Sequence, residues 1–178
     1  MLSILRMIMD KSTNSIKTID YSHNEIHAGD HFCYHDYDSD VDTAWPKYYR
    51  ITTPNTTKWI HMVMELYSEW IGTWQLFENP TVNAAWTPAT LVNNNRNSAN
   101  TATLVIAPDP TSTADGTQIA IWRTGEGTVW PARWPWVSRS DIEFVLKQNE
   151  DYFLKFTPDA DNAKTKINFC WYEHTNRL

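Results

Sequence analysis

The feature that most constrains this chain is a period-two alternation of apolar and polar side chains, recurring in segments too short for ordinary helices. In "WIHMVMELYS" (59–68), Ile60, Met62, Met64 and Leu66 form a wholly apolar set, while Trp59, His61, Val63, Glu65 and Tyr67 form the other. Successive Cβ atoms of an extended chain point to opposite faces, so the pattern predicts a strand with its even-numbered face inward. A helix competes for this segment, because nothing in it breaks one. Pro54, four threonines just upstream and ring-rich neighbours favour the strand.

The C-terminal third repeats the pattern. Ile142, Phe144 and Leu146 alternate with Glu143, Val145 and Lys147; Tyr152, Leu154 and Phe156 with Phe153 and Lys155; Ile167, Phe169 and Trp171 with Asn168, Cys170 and Tyr172. "KQNED" and "TPDADNAK" supply turn residues between these runs, so the region reads as an antiparallel meander. Shorter runs at "HFCYHDY", "YYRIT", "TWQLF", "TATLVIA" and "TQIAIW" bring the strand count to that of a sandwich, with "APDPTSTADG" as a polar hairpin loop. The expected fold is all-β: an antiparallel, jelly-roll-like β-sandwich over residues 26–178, preceded by an N-terminal arm at 1–25.

At 178 residues one domain is the default, and ten Trp, eight Tyr and six Phe suggest a core built on rings. The net charge of −6 offers no basic footprint for nucleic acid or an anionic membrane, so neither is expected as a partner. The apolar start, Met1 to Met9, is interrupted by Arg6 and too short to span a bilayer. No small-residue cleavage site follows it, and it reads as part of the arm. Cys33 and Cys170, far apart, lack the spacing of a disulfide framework or a zinc site; they read as two free thiols in a reducing compartment.

No Ser elbow, HExxH, Walker loop or GxGxxG appears, so no catalytic residue and no cofactor is assigned. His23, His27, His31 and His35 recur every fourth position, which on a helix would align four imidazoles. Gly29 interrupts such a helix and His31 to Tyr37 alternates as a strand, so no metal is expected. Glu65 with Glu69, or the Asp36–Asp40 group, offers carboxylates for a glycosidase. "DYDSDVDTAWPK" resembles the start of a calcium loop but lacks Gly at its sixth position and Glu at its twelfth, and reads as a solvated acidic loop.

Two stretches read as interaction surfaces. "VWPARWPWV" (129–137) holds Trp130, Arg133, Trp134 and Trp136 in a segment that prolines keep out of a regular central strand. Its rings suit subunit contact, the covering of the sandwich's own end, or stacking on sugar. "LVNNNRNS" (91–98) concentrates amides around Arg96. One reading is a set of nested turns, with Arg96 holding the loop to its own acids; the other has Asn95, Arg96 and Asn97 locking protomers together.

Together, and in this order, "HAGDHF" (27–32), "TTPNTTKWIHM" (52–62), "NNNRNS" (93–98), "LKQNEDYFLKF" (146–156) and "FCWYEH" (169–174) resemble the small capsid cement, or decoration, proteins of tailed bacteriophages. The resemblance spans about residues 26–174. It implies a non-catalytic homotrimer on the outer virion surface, assembled in the host cytoplasm and bound to the major capsid protein at three-fold and quasi-three-fold positions. Carried over by position, Asn95, Arg96 and Asn97 match the family's loop, His27 and Gly29 its opening motif, and Trp171, Tyr172, Glu173 and His174 its last strand. Residues 1–25 and 129–137 have no counterpart in it; Leu2 and Leu5, with Ile4 and Ile8, could add apolar area if the arm orders on docking. The alternative expectation is a carbohydrate-binding β-sandwich resting on the Trp-rich segment.

Overall fold

The computed structural model describes residues 21–82, 87–110, 112–125, 138–139 and 142–175. In chain order these form α1 (Tyr21–Ala28), β1 (His31–Val41), β2 (Lys47–Thr52), β3 (Lys58–Ser68), β4 (Gly72–Glu78), β5 (Thr81–Val82), β6 (Val92–Asn93), β7 (Val105–Pro108), β8 (Ser112–Ala114), β9 (Thr117–Thr124), β10 (Ser138–Arg139), β11 (Phe144–Leu146), β12 (Asp151–Pro158) and β13 (Ala163–Thr175). A six-stranded sheet runs β10–β3–β13–β1–β6, with β11 also paired to β3. A five-stranded sheet runs β7–β2–β12–β4–β9, and β5 and β8 make a small ribbon. Every pairing among the described residues is antiparallel, the pattern of an all-β sandwich.

The core lies between the two large sheets and follows the alternation. Ile60, Met62, Met64 and Leu66 of β3 face it fully buried, as do Ile167, Phe169 and Trp171 of β13. From the other sheet come Tyr49, Ile51, Trp74, Leu76, Tyr152, Leu154 and Phe156. Rings meet at angles rather than in stacks: Tyr49 stands edge-on to Phe169 at 5.8 Å, the geometry that ring quadrupoles favour. Gly72 is required where it sits, because a Cβ there would meet the Phe156 ring at 2.4 Å.

Three local expectations are corrected. The C-terminal strands are not a meander: β11 and β13 each pair with β3, whereas β12 lies in the opposite sheet between β2 and β4. Period-two patterning fixes which face is buried but not which strand is the neighbour, so strands that follow one another in sequence need not pair. "APDPTSTADG" is not a hairpin loop, since β7 and β9 occupy opposite edges of one sheet. The third concerns the cysteines. Cys33 and Cys170 stand directly opposite each other on β1 and β13, with Cα atoms 4.2 Å apart, and form a disulfide. Sequence separation gave no hint of it, because register alone brings them together.

Ahead of β1 lies the helix α1, which crosses the position where the arm was expected to end. Gly29 terminates this helix rather than preventing it. Its φ of +81° carries the chain out of the last turn, and the N–H groups of Gly29 and Asp30 close back on the carbonyls of Ile26 and Glu25. His23 and His27 therefore do share a helix face, their Nε2 atoms 3.1 Å apart, while His31 and His35 lie on β1.

Candidate functional site

The amide block forms the edge beside the disulfide. β6 pairs Val92 with Cys33 and Asn93 with Phe32, after which the N–H of Asn94 donates to the carbonyl of His31 at 3.0 Å. Then the chain folds into nested turns closed by side chains. Asn93 Oδ1 accepts from the N–H of Asn95 at 2.9 Å, Asn95 Oδ1 from that of Asn97 at 3.1 Å, and Ser98 Oγ from that of Asn100 at 3.1 Å. Such side-chain closure is what Asn and Ser offer in place of a regular ladder.

The same amides reach back to the end of α1, where carbonyls lack intrahelical partners. Asn93 Nδ2 donates to the carbonyls of Gly29 and Asn100 at 2.9 and 3.0 Å, and Asn95 Nδ2 to that of His27 at 3.2 Å. Asn94 Nδ2 donates to the Cys33 sulfur at 3.3 Å. Most of the block thus serves its own chain, as the nested-turn reading held. Arg96 differs: it is exposed, its one bond to its own loop is a long 3.5 Å donation to the Asn93 carbonyl, and it forms no ion pair among the described residues. Asn97 and His27 are also exposed. Of the remaining expected interface residues, Leu2, Leu5, Trp130, Arg133, Trp134 and Trp136 lie outside the described residues.

A second cluster lies where α1 meets the ends of β3 and β13, around a cleft of about 470 Å³ lined in part by Glu25, Asp30, Lys58, Glu173 and His174. Glu173 is fully buried. Its carboxylate accepts the N–H of Thr103 at 2.9 and 3.0 Å, the Thr103 hydroxyl at 2.5 Å, the N–H of Leu104 at 3.1 Å and the Trp171 indole N–H at 3.1 Å, with Lys58 Nζ 3.8 Å away. So fully bonded a carboxylate anchors the loop before β7 to the core. Sequence reasoning placed this residue on the last strand without assigning it a place in the core. The signal was available, since Glu173 continues the inward set Ile167, Phe169 and Trp171.

On the outer face of the same sheet, Glu143 accepts hydrogen bonds from Tyr172 Oη at 2.8 Å and from His61 Nδ1 at 2.5 Å. His61 and His174 face each other through Nε2 atoms 2.9 Å apart. Among the described residues no group of three or more His, Cys, Asp or Glu is placed to hold a metal ion. The carboxylates weighed for glycosidase chemistry have separate partners: Glu65 accepts from Asn168 at 2.9 Å, and Glu69 pairs with Lys164 at 2.8 Å.

The acids expected in a solvated loop lie instead along β1. Asp36 accepts the Tyr49 hydroxyl at 3.0 Å, and Lys47 Nζ sits 3.0 Å from Asp38 and 2.7 Å from Asp109. Burial, then the charge of Asp36, pushes the Tyr49 hydroxyl far above the usual phenol range, which keeps it a donor. Among the described residues no helix is long and apolar enough to cross a membrane. No family model, no curated protein and no solved structure matches this chain.

Proposed function

We propose that this chain is a structural protein of a tailed-phage virion: a homotrimeric cement protein, built as a jelly roll, that clamps the outer surface of the capsid and performs no catalysis. Supporting the jelly roll is the nesting of its strand pairs, β1 with β13, β2 with β12, β3 with β11 and β4 with β9, with β1 to β4 alternating between the sheets. That architecture recurs in viral capsid and lectin domains.

The observation that carries the functional reading is Arg96, exposed on a loop most of whose amides are bonded to its own chain. An arginine on a loop whose backbone is already ordered has only its own side chain left to fix on docking, and its planar fork suits a carboxylate, which is what an interface anchor needs. Three such protomers around a three-fold axis would offer one patch three times to a lattice of the same symmetry, multiplying a modest contact by about 10² to 10⁴ through effective concentration. The disulfide fits an extracellular particle, because such bonds persist under oxidising conditions and would close once the virion leaves the host cytoplasm.

Light scattering of the purified chain and co-sedimentation with expanded shells test the proposal. A trimer that pellets with shells is expected; a monomer that stays in the supernatant overturns it.

A further inference from the structure

We propose that the turn carrying Trp45, with the cleft beside it, binds a neutral saccharide. This proposal stands apart from the trimer reading and uses none of its residues. Trp45 is 78% exposed, the most exposed large apolar side chain among the described residues, on a segment read from sequence only as part of an acidic loop.

The turn that carries the ring is held by its surroundings. The turn 42–45 closes through the Trp45 N–H donating to the Asp42 carbonyl at 3.0 Å. Thr43 donates twice to Asp161, from its N–H at 2.8 Å and its hydroxyl at 2.6 Å, and the N–H of Asn162 donates to Asp42 Oδ1 at 3.0 Å. Pro46, next in the chain, restricts the backbone of Trp45 to extended conformations. Four hydrogen bonds and a proline thus order the backbone that carries this large exposed ring, so ligand binding need order only the Trp45 side chain itself.

Beside the platform opens a cleft of about 460 Å³, within the size range of small-ligand sites. Trp45 and Tyr48 supply apolar wall, and Asp38, Asp40, Asp109 and Lys47 supply polar groups. The Asp40 carboxylate and the Trp45 indole N–H have no partner among the described residues, leaving one acceptor and one donor beside the ring. A pyranose matches this combination: its C–H face lies flat on an aromatic ring while its hydroxyls both donate and accept.

Charge selects among ligands. Lys47, bridging Asp38 and Asp109 at 3.0 and 2.7 Å, offsets much of their pull on a cation, so an arginine side chain would find one unpaired carboxylate. Three aspartates against one lysine still leave the cleft negative, which disfavours uronic and sialic acids. A neutral hexose avoids that repulsion, and its hydroxyls can accept from the Trp45 indole N–H, which an arginine side chain, having no acceptor, cannot.

The 178-residue chain is titrated calorimetrically with neutral gluco-, manno- and galacto-oligosaccharides, with a galacturonate oligomer and with an arginine hexapeptide. At least one neutral oligosaccharide is expected to bind. Trp45→Ala is expected to weaken that binding at least about tenfold, Trp45→Phe less, and Asp40→Asn measurably. Because Trp45 is exposed, the melting temperature of Trp45→Ala should match that of the parent, which separates lost binding from lost fold. Binding of the galacturonate or the arginine peptide alone, no binding of any neutral sugar, or neutral-sugar binding undiminished by Trp45→Ala would each overturn the proposal.

Discussion

Glu173 shows how much one side chain can organise in this fold. A buried carboxylate is tolerated only with a full set of donors, and here five hydrogen bonds from Thr103, Leu104 and Trp171 converge on it. Glu173→Gln would turn an amide N–H₂ toward those donors. A loss of about 3 kcal/mol in chemical denaturation is expected, against under about 1 kcal/mol for Glu65→Gln, whose side chain is only half-buried. Lys47 contributes differently. Burial raises the Asp38 carboxyl, but the Asp40 N–H and the Lys47 ammonium outweigh it and hold the group below the usual range. Burial lowers the Lys47 ammonium, but Asp109 and Asp38 outweigh it and hold it above its usual range. A depressed acid adds stability above its unfolded value and loses it as pH falls through the folded one; a raised base adds stability below its unfolded value and loses it as pH rises through the folded one. Lys47→Met should therefore cost about 1 kcal/mol across neutral pH, with the gap to the parent closing at both acid and alkaline extremes in melts run as a pH series. At this scale the sequence was legible where periodicity reached, as at Met64 or Phe169. It was silent on Trp45, because nothing local distinguishes a ring that packs from one held in water.

Among the elements, alternation identified the long strands and their buried faces, but pairing is a property of distant segments. β12 carries Tyr152, Leu154 and Phe156 inward as expected; that it lies between β2 and β4, away from β11 and β13, depends on contacts far along the chain. Phe153, on its other face, is also fully buried, edge-on to Tyr48 at 5.8 Å, so this strand is covered on both sides. The amide block was legible in composition and only half legible in role. Its turns followed from Asn chemistry, whereas capping of α1 required the helix to be docked against it. The disulfide was invisible for the same reason as the pairing. Closing so long a loop restricts the unfolded chain, and the double variant Cys33→Ser, Cys170→Ser should lose about 3–5 kcal/mol. The expected readout is a lowered melting temperature in the variant, matched by the parent only in the presence of reductant.

For the molecule as a whole, the proposed assembly separates from the fold through Arg96. Arg96→Ala removes an exposed side chain with one long internal bond, so the melting temperature of the dissociated chain should stay within about 2 °C of the parent. Under the cement-protein reading the trimer midpoint in sedimentation velocity should shift to at least about tenfold higher concentration. Asn93→Ala, by contrast, strips partners from two carbonyls and one N–H of its own chain and should lower stability by about 1–3 kcal/mol before any assembly is measured. The link between β1 and β13 also joins the first long strand of the sandwich to its last. Wherever a protease makes a single cut between the two cysteines, both fragments leave the digest as one covalent body: a single band on a non-reducing gel that parts into two only when thiol is added.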